Sequence, residues 1–329
     1  MTDTILVTGA SGYLGRNIVR DFVARGIAVR GLARSDSSAK AVEELGATPV
    51  RGDVMDVPSL RAAMEGVTSL IHAAADTNHG RTTKAQEQTN LQGTRNVYET
   101  AHAAGVKRAV HISTEAVLMD GRPIVNADET WPLPAKPAGG YSRTKGGAER
   151  IALAANGNGM DVVVVRPRFV WGRDDTSALP QLVEAAKAGR LAWFGGGTYL
   201  TSTTHIANVV EGVRLALEKG RGGEVYFLTD GDDVPFREWM TELLATQSVD
   251  TSSVKSVPRG VISFIVNTGE LLAGLSGGAI SGPLSKQEYA TVGNTVTLNI
   301  DKARRELGYV PVMTRAEGLA ELKALAAKA

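Results

Sequence analysis

Four side chains in the sequence have the chemistry needed to reduce a carbonyl group or to oxidise an alcohol. Tyr141 lies four residues before Lys145 in the segment Y-S-R-T-K, and Asn90 and Thr114 precede them. A tyrosine hydroxyl can give a proton to a reacting oxygen, and a nearby ammonium group lowers the tyrosine pKa by favouring the phenolate. Thr114 can donate to the same oxygen, and Asn90 can hold a water that relays protons to Lys145. These four residues are the predicted catalytic set.

The elements around these residues decide whether they can act together. The pattern predicts a helix over 141–155, which places Tyr141 and Lys145 on one face because residues four apart are neighbours. Thr114 follows a predicted strand over 107–112, at the carboxyl edge where open α/β sheets bind their ligands. Asn90 lies in a long predicted helix over 84–104.

The N-terminal segment T-I-L-V-T-G-A-S-G-Y-L-G predicts a dinucleotide site. A short apolar strand over 5–7 ends in Gly9, Gly12 and Gly15, and an amphipathic helix follows. Backbone N–H groups and the positive end of the helix dipole can face a pyrophosphate there. Gly9 would allow a tight turn, Gly12 would allow the pyrophosphate to approach the backbone, and Gly15 would allow the helix to pack closely on the strand. We call residues 9–15 the glycine loop.

Alternating strands and helices predict an α/β fold with a doubly wound parallel sheet of the Rossmann type. We predict a nucleotide-binding domain from 1–166 plus 200–231, and a mostly helical substrate-binding cap from 167–199 plus 232–329. The predicted sheet strands are 5–7, 27–32, 48–51, 69–75, 107–112, 161–166 and 224–228.

The end of the second strand indicates which dinucleotide is used. NAD-binding chains usually carry Asp or Glu there for the ribose, whereas this sequence has Ala33 followed by Arg34 and Ser35. A guanidinium group can pair with a 2′-phosphate, so we favour NADP(H) with Arg34 and Ser35 as contacts. The alternative is a solvated Arg34 with Asp36 serving the ribose of NAD(H). Asp53, after the third strand, could accept from the adenine amino group or cap a helix.

Composition excludes several other classes of protein. The 329 residues are 43% hydrophobic and 22% charged, and the net charge of +1 does not favour nucleic acid or an anionic membrane as a partner. The absence of cysteine excludes disulfides and a thiolate nucleophile, and it fits the cytoplasm. We expect no signal peptide because a strand begins within the first four residues, and no membrane-spanning segment because the apolar stretch 260–280 is interrupted by polar residues and glycines. We expect no metal site because the five histidines show no H-x-x-x-H pairing. His72, within an apolar strand, is expected to be packed or hydrogen-bonded.

Several motifs together resemble one large enzyme family. The chain is similar to the extended short-chain dehydrogenase/reductases over nearly its whole length, and the R-P-R stretch at 166–168 and Asn208 resemble the 3β-hydroxysteroid dehydrogenase and dihydroflavonol reductase branch. The motifs are the glycine loop, G-D-V, N-L-Q-G-T, H-I-S-T-E-A-V, Y-S-R-T-K, V-R-P-R-F-V-W-G-R-D-D and D-K-A-R-R-E-L-G-Y-V-P.

The resemblance implies a Rossmann domain with an active site of Thr114, Tyr141 and Lys145. Thr114 is preferred to Ser113 because family members carry the catalytic hydroxyl three residues before the valine, here Val117. The implied cofactor contacts are Gly9, Ser11, Gly12, Tyr13, Leu14, Gly15, Asp53, Val54, Ala73, Ala74, Ala75, Tyr141, Lys145, Pro167 and Val170.

The predicted function is NADP(H)-dependent interconversion of a secondary alcohol and a ketone or aldehyde on a bulky, hydrophobic small molecule. The family often has Tyr-Gly after the valine, whereas this chain has Leu118 and Met119, which counts against a nucleotide sugar. We expect the pocket to be lined by 115–119, 120–140, 169–171, Trp193, Tyr199 and 257–285. The alternatives are an NAD-dependent nucleotide-sugar epimerase or dehydratase, and a non-catalytic NADP sensor. A homodimer is expected through helices 84–104 and 141–155, which carry Leu91, Val97, Ile151 and Leu153.

Overall fold

A computed structural model describes residues 4–80, 82–275, 282 and 284–328. The strands are β1 (Thr4–Thr8), β2 (Ala28–Ala33), β3 (Thr48–Arg51), β4 (Ser69–His72), β5 (Arg108–Ile112), β6 (Ile124–Ala127), β7 (Asp161–Pro167), β8 (Val170–Trp171), β9 (Trp193–Phe194), β10 (Leu200–Ser202), β11 (Thr204–His205), β12 (Val225–Leu228), β13 (Asp233–Pro235), β14 (Ser256–Val257) and β15 (Val296–Leu298). The α-helices are α1 (Tyr13–Ala24), α2 (Asp36–Glu44), α3 (Val57–Met64), α4 (Lys84–Glu87), α5 (Thr94–Ala103), α6 (Gly140–Ala154), α7 (Ala178–Lys187), α8 (Ile206–Lys219), α9 (Phe236–Ala245), α10 (Arg259–Leu275), α11 (Lys286–Val292), α12 (Asp301–Leu307) and α13 (Arg315–Ala326).

Seven strands form one parallel sheet in the order β12-β7-β5-β4-β1-β2-β3. These are the seven strands that the sequence predicts, so the predicted α/β fold is confirmed. The strand order reverses between β1 and β4, and such switch points are where doubly wound sheets bind ligands.

The sheet is covered on both faces, which explains why its strands are almost wholly apolar. In β7, Val163 and Val165 pack into one core cluster while Val162 packs into the other. Successive residues of a strand point to opposite faces, so a strand with two buried faces needs apolar residues at every position.

The predicted helix over 84–104 contains an interruption. Residues Gln88–Gly93 form a π-helical turn between α4 and α5, and Asn90 lies in this turn. A Cβ at Gly93 would lie 2.8 Å from the side chain of Val54, so glycine allows the helix to approach the sheet. Single π turns in helices are frequent at functional sites.

The remainder of the chain contains strands that the sequence does not predict. A second sheet has the order β13-β10-β15-β6, and β11 pairs with β8 and β14 with β9. The prediction of a mostly helical region is therefore incomplete, and residues 200–202 belong to this second sheet. Among the described residues, no helix is long and apolar enough to cross a membrane.

Candidate active site

The glycine loop lies at the switch point of the sheet, between the carboxyl ends of β1 and β4. Gly9 has a φ of +69°, and a Cβ there would lie 2.8 Å from the backbone nitrogen of Ala74. A Cβ at Gly15 would lie 2.0 Å from the carbonyl oxygen of Gly9. The first and third glycines are therefore required by the packing of the loop itself.

The second glycine leaves the start of α1 open. Gly12 is the N-cap of α1, and no side chain caps the helix there. The backbone around Ser11 is held by Arg16, whose Nη2 donates to the Ser11 carbonyl at 2.8 Å. Tyr13 is buried and Leu14 packs against the main core. An uncapped helix start beside a rigid glycine turn fits a pyrophosphate, so the residues present fit a dinucleotide.

The strand opposite the glycine loop ends in small residues. Ala73 and Ala74 follow β4, and their backbone N–H groups donate to Thr8, to its carbonyl and its hydroxyl respectively. His72 is hydrogen-bonded on both ring nitrogens, to Thr8 at 2.7 Å and to Thr94 at 3.1 Å. Burial lowers the pKa of His72 to about 3. The expectation that His72 is packed and hydrogen-bonded is confirmed.

The side chains predicted to hold the adenosine end lie at the edge of the sheet near β2 and β3. The Arg34 Nη1 is 4.0 Å from the Asp53 Oδ2, and three quarters of the Arg34 side chain is exposed. Ser35 caps α2 by accepting from the backbone N–H of Ser38. The fully exposed carboxylate of Asp36 pairs with Arg51 at 3.3 Å. Val54, Pro167 and Val170, also predicted as contacts, lie after β3, at the end of β7 and in β8.

Tyr141 and Lys145 lie in the first two turns of α6, and both are buried. The Lys145 Nζ donates to the carbonyl of Ile112 at 2.7 Å, which ties α6 to the end of β5. Burial lowers the pKa of Lys145 to about 8, and the charge of Glu149 opposes this.

The predicted direction of the Tyr141 pKa is wrong. Burial raises the pKa of Tyr141, the charge of Glu115 raises it further, and a hydrogen bond with Thr114 lowers it. Desolvation outweighs any favourable interaction because the phenol lies inside the protein, where a phenolate is poorly solvated. At neutral pH Tyr141 is therefore a phenol, which is the form that donates a proton.

The structure gives Ser113 and Thr114 different partners. The Ser113 hydroxyl donates to Glu149 at 2.6 Å, whereas the Thr114 hydroxyl donates to Glu115 at 2.8 Å. Thr114 also caps the 3₁₀ turn Glu115–Leu118 by accepting from the Ala116 N–H. Of the two hydroxyls, Thr114 is the one that acts on the pKa of Tyr141, which it lowers. The choice of Thr114 as the catalytic hydroxyl stays a prediction.

Asn90 contacts α6 through Thr144, the residue before Lys145. Its Nδ2 donates to the Thr144 hydroxyl at 3.1 Å and to the Asp76 carbonyl at 3.0 Å, and its Oδ1 accepts from the Asp76 N–H. Asn90 thus joins α6 to the loop that follows β4. Its predicted role as a water holder stays a prediction.

The sequence analysis missed a histidine at the site. The ring of His79 lies edge-to-face with that of Tyr141, with centroids 4.3 Å apart. Burial lowers the pKa of His79, and the charges of Glu115 and Glu288 raise it. The loop that carries His79 also contains Thr82 and packs on the start of α6. A Cβ at Gly140 would collide with the Thr82 hydroxyl, so glycine allows this close approach. A histidine in a polar loop gives no sequence signal for this placement.

Two buried ion pairs flank Pro167 and were also missed. The guanidinium of Arg166 pairs with Glu149 (Nε to Oε2, 2.9 Å), and that of Arg168 pairs with Glu115 (Nη1 to Oε1, 2.7 Å). The signal was available, because charged residues beside an apolar buried strand are almost always paired.

Part of the predicted pocket lining is wrong. Trp171 and Trp193 are fully buried in the core of the smaller region, packed with Trp239, so they are structural. The Trp171 indole donates to Asp230, which also accepts from Asn208.

Of the predicted segment 257–285, residues 276–281 and 283 lie outside the described residues. A cavity of about 310 Å³ lies beside Ser142 and Gly146 of α6 and is lined by Val117 and by residues 133–135 and 137, which belong to the predicted segments 115–119 and 120–140.

A family model described as the 3-beta hydroxysteroid dehydrogenase/isomerase family matches residues 6–259. The chain belongs to this family. It is therefore an NAD(P)-dependent oxidoreductase that acts on a CH–OH group, as the sequence analysis predicts.

Individual proteins are similar to the chain over nearly its whole length. A 4-hydroxy-2-methyl-3-oxo-4-farnesyl-3,4-dihydroquinoline-1-oxide ketoreductase from Stigmatella aurantiaca is 47% identical over 96% of this chain and 95% of the relative. A decarboxylating sterol-4-alpha-carboxylate 3-dehydrogenase from Dictyostelium discoideum is 32% identical over 97% of this chain and 99% of the relative. A crystal structure of a dTDP-glucose 4,6-dehydratase double mutant from Streptomyces venezuelae with NAD bound is 27% identical, covers 97% of this chain and 95% of its own, and has a TM-score of 0.76.

Proposed function

We propose that the protein is an NADP(H)-dependent ketone reductase for a bulky, hydrophobic small molecule. The observation that carries the proposal is the buried phenol of Tyr141, one helical turn before the buried Lys145, whose ammonium donates to Ile112 at the carboxyl end of β5. Burial raises the pKa of Tyr141, so at neutral pH the residue is a phenol, the form that can give a proton to a carbonyl oxygen.

The residues divide into those that hold the cofactor and those that act on the substrate. The glycine loop and α1 would hold the pyrophosphate, and Ala73, Ala74 and Ala75 would let the cofactor lie close to the backbone. A nicotinamide, when bound, supplies the hydride. Tyr141 gives its proton to the carbonyl oxygen, and Lys145, one turn along α6, is anchored on the Ile112 carbonyl.

The remaining predicted contacts have supporting roles. We assign Asn90 to positioning, because it ties Thr144 in α6 to the Asp76 backbone. Ser11, Tyr13, Leu14, Asp53, Val54, Pro167 and Val170 are proposed cofactor contacts. Residues 167–199 and 232–329 are proposed as the substrate-binding cap, with 1–166 and 200–231 as the nucleotide-binding domain.

An apolar substrate is supported by exposed side chains of α10 and by the name of a relative. Leu118 and Met119, like Trp171 and Trp193, are fully buried in core clusters and do not carry this argument. The helix α10 carries exposed apolar side chains at Phe264 and Leu271, which are 71% and 62% exposed. The relative from Stigmatella aurantiaca is named for a farnesylated quinoline oxide, which is a bulky and largely apolar ketone.

The preference for NADP(H) rests on Arg34, with Ser35 as a second contact. The Arg34 guanidinium lies at the end of β2 and is free to turn, since its only close acidic neighbour among the described residues is Asp53 at 4.0 Å. A guanidinium can pair with a 2′-phosphate through two parallel hydrogen bonds.

We also propose a homodimer that forms through the helical segments 84–104 and 141–155. Leu91, Ile151 and Leu153 are half-buried and can contribute to such an interface, but Val97 is fully buried within the core and cannot. Analytical ultracentrifugation at micromolar concentration tests this, and a monomer there would contradict it.

The proposed function is tested by a panel of ketones and aldehydes assayed with NADPH and NADH in parallel. Reduction of bulky cyclic ketones with NADPH, and weak or absent activity on nucleotide sugars, is expected. A protein that is purified with tightly bound NAD and shows no net turnover of added NADPH would favour the epimerase or dehydratase alternative.

A further inference from the structure

The loop that follows β4 is held by two buried side-chain amides. Gln86 lies in α4 and Asn90 in the π-helical turn after it, and each is 1% exposed. The Gln86 Nε2 donates to the Asn78 carbonyl at 2.7 Å and to the Asp76 carbonyl at 3.4 Å. The Asn90 side chain donates to the Asp76 carbonyl at 3.0 Å and accepts from the Asp76 N–H at 2.8 Å. These bonds fix the loop backbone directly before His79.

Two short side chains of the loop tie the backbone on either side of His79. The Asp76 Oδ1 accepts from the Asn78 N–H at 3.0 Å, and the Asn78 Oδ1 accepts from the Gly80 N–H at 2.8 Å. Side chains of Asp and Asn that bond to nearby backbone groups hold a loop in one conformation. The imidazole of His79 contributes none of these bonds, so its neighbours place its backbone and its ring is available for another contact.

The ring of His79 packs against the phenol ring of Tyr141. The two centroids are 4.3 Å apart and the ring planes are 86° from parallel, which is the edge-to-face arrangement that aromatic rings prefer. The same segment of chain packs closely on Gly140, the residue before Tyr141, through Thr82. The loop is therefore seated on the start of α6 both at the backbone and at the phenol ring.

We propose that His79 is a positioning residue that fixes the orientation of the Tyr141 phenol, and that Gln86 and Asn90 place it there through the loop backbone. This inference rests on the proposed function, in which Tyr141 gives a proton to the carbonyl oxygen. A proton donor acts only within hydrogen-bond reach of the oxygen that it serves, so a ring that limits the rotation of the phenol raises the rate. The role belongs to the aromatic ring, because an edge-to-face contact needs no ring nitrogen.

Replacing the ring separates its placement from the chemistry of its nitrogens. His79→Ala removes the contact and should lower kcat for the best ketone of the panel by about 10- to 100-fold, since a misplacement of about 1 Å costs about 100-fold in rate. His79→Phe keeps an aromatic ring and should restore kcat to within about threefold of wild type. His102→Ala is the matched control, because His102 is exposed in the last turn of α5, and it should leave kcat unchanged.

The binding constants distinguish positioning from substrate binding. His79 acts through Tyr141 in this proposal, so the KM for the ketone and the Kd for NADPH should stay within about threefold of wild type in His79→Ala. A raised KM with an unchanged kcat would show that His79 binds the substrate directly and would overturn the proposal. A His79→Phe protein as slow as His79→Ala would overturn it too, because the nitrogens would then be needed.

A double-mutant cycle tests whether Gln86 acts through His79. Gln86→Met keeps the length of the side chain and removes the Nε2 donor; the Gln86 Oε1 has no partner among the described residues, so it loses no bond. This variant should lower kcat, and Gln86→Met/His79→Ala should be no slower than His79→Ala alone, since residues that act through one another are not additive. Losses that multiply in the double variant would overturn the placement of His79 by Gln86.

Crystal structures of the wild-type, His79→Ala and His79→Phe proteins give a readout that needs no turnover. Tyr141 should keep one side-chain orientation in the wild-type and His79→Phe proteins, and it should shift or take several orientations in His79→Ala. An unchanged Tyr141 in His79→Ala overturns the proposal even if the rate falls. A failure of the ketone panel contradicts the proposed function, whereas the orientation of Tyr141 decides this proposal.

Discussion

Replacing Arg34 by alanine should change the choice between the two nicotinamide cofactors. The guanidinium is three quarters exposed and lies 4.0 Å from Asp53, so it is neither buried nor tightly held by another group. Hydrogen bonds to charged groups contribute about 1.5–3 kcal/mol, and exposure places this site in the lower part of that range. A loss of about 1.5–2 kcal/mol corresponds to roughly 10- to 30-fold weaker binding of NADPH.

The assay is fluorescence titration of the wild-type and Arg34→Ala proteins with NADPH and with NADH. Binding of NADH should change by less than about threefold, because NADH has no 2′-phosphate to lose contact with. Arg25→Ala is the matched control, since it removes the same charge at the far end of α1, about 18 Å from the start of the helix. Equal weakening of both cofactors, or unchanged binding of NADPH, would refute the reasoning and support Asp36 as the ribose contact.

Three other substitutions test the packing and charges of the site. Gly15→Ala places a Cβ 2.0 Å from the Gly9 carbonyl oxygen, so the loop must shift and turnover should fall by about 100-fold, since a misplacement of about 1 Å costs about that much in rate. Turnover within twofold of wild type would contradict the account of the loop. Glu149→Ala leaves Arg166 buried without its partner and should lower the free energy of unfolding by about 3–5 kcal/mol in urea denaturation; a loss below about 1 kcal/mol would show that the pair is dispensable. Burial lowers the pKa of Lys145 from its ordinary value of 10.5 to about 8. Between pH 8 and pH 10.5 the unfolded chain therefore binds more protons at this residue than the folded protein, so the free energy of unfolding rises with pH over this range. Lys145→Met should remove this rise of about 3 kcal/mol from the pH dependence of unfolding, and parallel curves for the two proteins would contradict the burial of the ammonium.

The parts of the fold that the sequence predicts are those specified by neighbouring residues. The glycine loop follows an apolar strand and precedes a helix, so its structure is local. The spacing of Tyr141 and Lys145 has meaning because α6 begins at Gly140, directly before the tyrosine. Each of these features is contained within about fifteen residues, where periodicity is informative.

The second sheet could not be predicted in the same way. Its strands have three or four residues, too few for an alternating pattern, and they pair over long distances in the chain. In β6 and β15, Ile124 pairs with Val296. Such pairings are fixed by tertiary packing, which single-chain patterns do not contain.

The pKa of Tyr141 illustrates a different limit. Sequence spacing shows that Lys145 is near the tyrosine, but it does not show how deeply the phenol is buried or that Glu115 is close to it. The ion pairs of Arg166 and Arg168 could be predicted in part from the sequence. Their burial follows from the apolar strand before them, but their carboxylate partners are known only from the structure.

The most direct test of the central claim is the kinetics of Tyr141→Phe with the best ketone of the panel. The phenol is the proposed proton donor, so kcat should fall by about 10²- to 10⁴-fold while the Kd for NADPH stays within about twofold of wild type. Turnover that is unchanged, with unchanged binding of NADPH, would contradict the assignment of Tyr141 as the acid.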